Sequence, residues 1–207
     1  MRNASMKNGG PTVLEHIVPS LRLLLALTVL LGLAYPVAVW GAARLVAPKA
    51  STGSFETAAG RVIGSSLIAQ KFAAPGHFHG RPSAAGDAGW DATSSGGTNL
   101  APTSKKLADS VKGAVEAVRK DDPAPGPVPA DAATSSASGL DPHISRDYAL
   151  RQVARVAAAT GVPEARLKEM VAARTEGRFL GIFGEPRVNV LLLNLEVDAS
   201  SSSSHRP

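Results

Sequence analysis

The chain has 207 residues, no cysteine and a formal net charge of +5. Without cysteine, disulfides and thiolate metal sites are excluded, whatever the compartment. Much of the positive charge lies beside an apolar N-terminal segment, a placement that points to lipid headgroups rather than nucleic acid.

That segment is the first element. Between Arg22 and Arg44 lie 21 uncharged residues, Leu23 to Ala43. As a helix rising about 1.5 Å per residue they span roughly 31 Å, the hydrocarbon thickness of a bilayer. A secretory signal is the competing reading, with Leu23 to Leu33 as its core and Gly41-Ala42-Ala43 as a cleavage site. Apolar character continues through Tyr35, Val37, Val39 and Trp40, however, and Tyr35 and Trp40 suit the interfacial end of a retained anchor. Pro36 is expected to kink the helix. Arg2, Lys7 and Arg22 on one side against Arg44 and Lys49 on the other lean towards a cytoplasmic N-terminus.

Beyond Ala50, residues 51–60 read as a polar exit from the membrane. Arg61 to Gln70 has the β-branched and aliphatic character of a strand, bulged by Gly64-Ser65-Ser66. Phe72 to Ala101 has no sustained period, as expected of a long functional loop or of disorder. A helix is predicted over 104–120, with Leu107, Val111, Val115 and Val118 as its apolar stripe, Ser104 as its cap and Asp121-Asp122-Pro123 as its stop. Residues 123–139 read as a proline-rich linker or an edge segment, since proline cannot donate to a ladder. Ser145 should cap a helix over 146–160 with Tyr148, Leu150, Val153 and Val156 facing a core, ended by Gly161. Pro163 opens another, to about Arg174, burying Leu167, Met170 and Val171. A helical hairpin over a sheet is preferred here to a DNA-binding helix-turn-helix. Arg187 to Asp198 alternates as a central strand. Ser200 to Pro207 is low in complexity and expected to be disordered.

The motifs for phosphate loops, nucleophile elbows, zinc helices and dinucleotide turns are missing. Two glycine-rich stretches, Ser94 to Asn99 (before Lys105-Lys106) and Ser136 to Asp141, could present backbone N–H groups to an oxyanion, although such stretches more often form turns. His77 and His79, with Asp141 and His143, have a spacing that permits a metal but does not diagnose one, and hydrogen-bonded loop histidines are the expectation. Glu176, Arg178, Glu185 and Arg187 bracket Phe179 to Gly184 and should pair across a turn.

Five stretches become specific when taken together: Phe78 to Ser83 (FHGRPS), Ser95 to Thr103 (SGGTNLAPT), Ser138 to Ser145 (SGLDPHIS), Thr175 to Arg178 (TEGR) and Gly184 to Val190 (GEPRVNV). Their order behind a single span closely resembles the C chain of the Kdp system, the bacterial high-affinity potassium-transporting P-type ATPase. The likeness runs from about Arg22 to Asp198. It implies partnership with a channel-like potassium-binding subunit, a P-type ATPase subunit and a small single-span subunit. It further implies an inner-membrane, single-pass chain with a cytoplasmic N-terminus and a periplasmic domain, acting as a catalytic chaperone that raises the ATPase subunit's affinity for ATP. This chain lacks the Asp-Lys-Thr-Gly-Thr phosphorylation segment, so it is expected to be an accessory subunit rather than an enzyme. ATP and potassium would belong to the complex, with no cofactor or metal assigned to this chain. A membrane-tethered periplasmic binding protein acting alone is the alternative.

The expected architecture is α+β: a tail over 1–21, a transmembrane helix over 22–44, one domain over 45–198 and a disordered tail over 199–207. One small, mainly antiparallel sheet should contain residues near 61–70 and 187–197, packed against about three helices. Gly32, Ala34, Ala38, Gly41 and Ala42 should let the span approach a partner helix closely. His79, Arg81, Asn99, Asp141, His143, Glu176, Arg178, Glu185, Arg187 and Asn189, all in or beside the shared motifs, should gather as one interaction patch. For Asn99, Asp141 and Asn189, simply holding loops together is an equal expectation.

Overall fold

A computed structural model of the chain describes residues 13–58 and 60–204, so the first 12 residues of the expected tail lie outside them. It divides into two units, Met1–Gly53 and Ser54–Pro207.

The first unit is helical. Helix α1 (Val13–Val29) passes through Pro19, runs into a π-helical turn (Leu30–Ala34) and continues as α2 (Tyr35–Val46). Helix therefore begins well before the expected boundary at Arg22. Glu15–Val46 is long and apolar enough to cross a membrane, and none of it is buried. Pro36 has no N–H for the carbonyl of Gly32, and its ring crowds that carbonyl. The widened turn in front of it absorbs the conflict, Tyr35 N–H donating to the Leu30 carbonyl, so the expected kink takes the form of a π-bulge.

The second unit is α+β. Strands β1 (Phe55–Ala58) and β2 (Arg61–Ser65) form an antiparallel hairpin with a register shift at Glu56/Thr57. Helix α3 (Lys105–Asp121) follows a long irregular segment, and a short α4 (Ala130–Ala133) interrupts the expected linker. Strand β3 (His143–Ser145) leads into α5 (Arg146–Thr160); α6 (Glu164–Ala173), β4 (Thr175–Glu176), β5 (Arg187–Asn189) and α7 (Val190–Ser204) complete the chain. The second sheet is antiparallel in the order β3-β5-β4, pairing His143 with Asn189, Ile144 with Val188 and Thr175 with Val188.

Local signals account for the helices. Ser104 Oγ accepts from Leu107 N–H, and Ser145 Oγ from Tyr148 N–H. Gly161 adopts φ 73° and returns its N–H to the Ala157 carbonyl. Leu167, Met170 and Val171 of α6 are buried as their spacing predicts. They share one core with Ile144, Tyr148, Val153, Val156, Val188 and Leu193.

Three expectations need correction. Residues 61–70 do not join the sheet of 187–189: β2 ends at Ser65 and pairs only with β1. The expected strand over 187–198 is central but ends at Asn189, and the rest is α7. Val188, Val190 and Leu192 fit a period of two, but Val190, Leu193, Asn194 and Val197 fit 3.6, and all four of these are buried whereas Leu192 is only half-buried. Asn189 decides the matter: its Oδ1 accepts from Leu192 N–H as a helix N-cap. Finally, α7 runs through the first residues of the expected disordered tail, to Ser204.

Candidate docking surface

The segment between β2 and α3 carries no helix or strand, yet its conformation is specified by buried side chains. Phe78 is fully buried in the core. Its N–H donates to Asn194 Oδ1 (2.7 Å) and its carbonyl accepts from Asn194 Nδ2 (2.9 Å). The next residue repeats the pattern: His79 N–H donates to Gln152 Oε1 (2.7 Å), and Gln152 Nε2 donates to the His79 carbonyl (3.1 Å). Two buried side-chain amides thus replace the strand partner that this backbone lacks. Arg155 completes the clamp, donating to the carbonyls of Pro75 and His77, to Gln152 Oε1 and to the buried Asp122 carboxylate (2.9 Å).

The two glycine-rich stretches pack on each other. Gly96 N–H and Ser95 Oγ both donate to the Ser138 carbonyl. Gly139 holds φ 66°, and a Cβ there would lie 2.6 Å from the Gly96 carbonyl oxygen. The glycines therefore serve a close backbone crossing. Ser83 Oγ donates to the Gly139 carbonyl and accepts from the N–H groups of Ala85 and Trp90, pinning the same crossing.

That crossing presents Asp141. Its Oδ1 caps the His143 N–H (3.0 Å) and its Oδ2 accepts from Arg81 Nη1 (3.0 Å), while Arg81 also reaches the carbonyls of Thr134 and Ser135. Partial burial pushes the Asp141 carboxyl up. Hydrogen bonds from His143 and Arg81 outweigh it and hold the group below its ordinary value. Arg81, Asp141, His143, Glu185 and Arg187 line one open cleft of about 320 Å³ with Ile144, Ser145 and Pro186. Across the β4–β5 turn, Arg178 pairs with Glu185 (2.9 Å) and Arg187 with Glu176 (3.0 Å).

So the structure brings half of the expected patch into one cleft, with Glu176 and Arg178 joined to it through their ion pairs. Three residues stand apart. His79 turns its ring to the Ala74 carbonyl, beside Arg155. Asn189 is buried, donates to the Ser66 carbonyl and caps α7, a structural role. Asn99 occupies a left-handed turn at φ 50°, outside the cleft lining. His77 pairs with Asp198 (3.0 Å), so the histidines do not converge, and among the described residues no group of three metal-ligating side chains forms. On the membrane helix Ala34, Ala38, Gly41 and Ala42 fall on one face by helical periodicity, with Gly32 about half a turn away. A Cβ built at Gly41 meets nothing within 4 Å outside its own helix backbone. Sequence reasoning missed Gln152, Asn194 and Arg155; the signal was a polar residue at positions where the apolar stripe of a helix should continue.

Burial, and then Arg155, hold His79 below the ordinary histidine value. The unfolded chain therefore takes up the proton first as pH falls below about 6.5, and stability present above that pH is lost below it. Melting temperatures at pH 7.5 and 5.5 should show a larger loss in the native chain than in His79→Gln. Equal losses in the two would remove this assignment.

A helix long and apolar enough to cross a membrane thus precedes an α+β unit that carries the charged cleft. The family model of the K+-transporting ATPase c chain, KdpC, matches residues 17–199. A potassium-transporting ATPase KdpC subunit of Methylobacterium nodulans is 50% identical over 90% of this chain and 98% of its own length. Those of Nitratidesulfovibrio vulgaris and Myxococcus xanthus are each 52% identical, over 90% and 86% of this chain and 95% and 85% of their own. The chain belongs to the KdpC family, the c chains of K+-transporting ATPases.

Proposed function

We propose that this chain is the non-catalytic accessory subunit of an ATP-driven potassium uptake complex, joining a channel-like potassium-binding subunit, a P-type ATPase subunit and a small single-span subunit. The observation that carries the reading is the joining of Arg81, Asp141, His143, Glu185 and Arg187 in one open cleft on a chain that has its own membrane anchor. Polar groups whose positions are set by hydrogen bonds and ion pairs present a fixed pattern of charge to a partner. Family membership supplies the kind of assembly. The span sits in the bacterial inner membrane with its N-terminus cytoplasmic and the domain periplasmic, as the charge bias across it suggests. ATP is then on the far side of the bilayer from the domain. Any chaperone-like gain in the ATPase subunit's affinity for ATP would travel through the assembled complex, as a coupling free energy between sites.

Pulling down a tagged ATPase subunit from detergent extracts tests the proposal. The native chain should accompany the two large membrane subunits, and Glu185→Arg should deplete it several-fold without changing its melting temperature, because Glu185 is exposed. A chain that extracts alone would point instead to a tethered binding protein.

A further inference from the structure

Between the ion pairs of the β4–β5 turn lies an apolar tip without a charge, Phe179-Leu180-Gly181-Ile182-Phe183. Phe179 is 71% exposed, Leu180 73%, Ile182 73% and Phe183 63%. Four large apolar side chains within five residues, left in water on a folded domain, mark a contact site.

The tip is also rigidly presented. Phe179 and Phe183 exchange both backbone hydrogen bonds, N–H to carbonyl at 2.8 and 3.0 Å. Leu180 and Gly181 turn the chain at φ 52° and 75°, a conformation uncommon for leucine. Arg178–Glu185 and Arg187–Glu176 clamp the base.

We infer that this tip inserts into an apolar pocket on a neighbouring subunit of the same potassium-transporting complex. The inference rests on the docking reading above and names a second, apolar half of that surface. Two observations favour a protein pocket over the bilayer. The base is charge-balanced, each arginine engaged by a glutamate, so no basic excess draws the tip to anionic headgroups. The tip also lacks the Trp and Tyr that favour the lipid interface. Continuity supplies the third argument: Glu185 and Arg187 belong both to the base of the tip and to the charged cleft. Aromatic anchors ringed by paired charges are the anatomy of an interface hot spot, with a dry centre and a polar rim.

Because the chain has no cysteine, a single Ile182→Cys carries one environment-sensitive fluorophore. With the full chain alone in phosphatidylcholine–phosphatidylglycerol vesicles, emission should be water-like. It should shift to the blue when the label is read in the purified complex. Ile182→Asp and Phe183→Asp, at exposed positions that leave folding intact, should each lower retention on the tagged ATPase subunit about tenfold. A label buried in vesicles without partners would assign the tip to lipid and overturn the inference. A label still in water in an intact complex would overturn it too, while leaving the charged docking surface standing. If the native chain never joins the complex, both readings fall.

Discussion

Replacing Asn194 by alanine is expected to destabilise the domain by about 3–5 kcal/mol, because it leaves both the N–H and the carbonyl of buried Phe78 without partners. Each group made its hydrogen bond to water in the unfolded chain and has no water to return to once folded. The loss is a large part of the 5–15 kcal/mol that a domain of this kind holds in total. Leucine, branched at the same carbon, should do little better, since the two backbone groups stay unpaired. Aspartate keeps the acceptor, loses the donor and buries a charge, so it too should be poorly tolerated. Urea titration of the detergent-solubilised full chain, followed by far-ultraviolet circular dichroism, measures the effect. A midpoint shift worth less than about 0.5 kcal/mol would show that the Phe78–His79 backbone does not depend on this clamp.

Arg155→Met should cost a comparable amount, about 3–5 kcal/mol, for an electrostatic reason. Asp122 is 3% exposed, and in the variant its carboxylate would stay buried with its cation gone. The carbonyls of Pro75 and His77 would lose their donor in the same step. The companion measurement is the double variant Asp122→Leu with Arg155→Met. Removing the carboxylate as well takes away the uncompensated charge, so the double variant should be more stable than Arg155→Met alone. Four urea titrations close the cycle. A double variant no more stable than the single one would mean that the carbonyl contacts, not the ion pair, carry the cost.

The consequence of both changes reaches the docking surface. His79 lies two residues before Arg81, and Arg81 positions Asp141 at the cleft. Loosening the Phe78–His79 backbone should therefore free the guanidinium that holds the cleft together. Stability and docking are coupled here through one stretch of irregular chain.

Periodicity made the helices legible. In α3, α5 and α6 the apolar residues recur at helical spacing, and Ser104, Ser145 and Gly161 mark ends that need nothing beyond the adjacent turn. The apolar span is equally local, since an uncharged stretch of bilayer length carries its own signal. The ion pairs of the β4–β5 turn were legible because their partners are neighbours in sequence.

Residues 187–198 show where that reasoning stops. Their apolar residues satisfy two periods at once, and the choice fell to a cap at Asn189 and to the fit of Val190, Leu193 and Val197 against the core. The cleft was only partly legible for the same kind of reason. Its residues lie in recognisable motifs, but which of them meet depends on how two glycine-rich turns cross.

From the order of its residues alone, this chain's apolar span, helices α3, α5 and α6, α+β class and family were set, because each rests on short-range spacing or on motifs within a few residues. Tertiary structure alone decided the path of the loop between β2 and α3. The partners that hold it, Gln152 for His79 and Asn194 for Phe78, lie 73 and 116 residues away in sequence. A buried amide is specified by the backbone group it must satisfy, and that group has no address until the chain has folded.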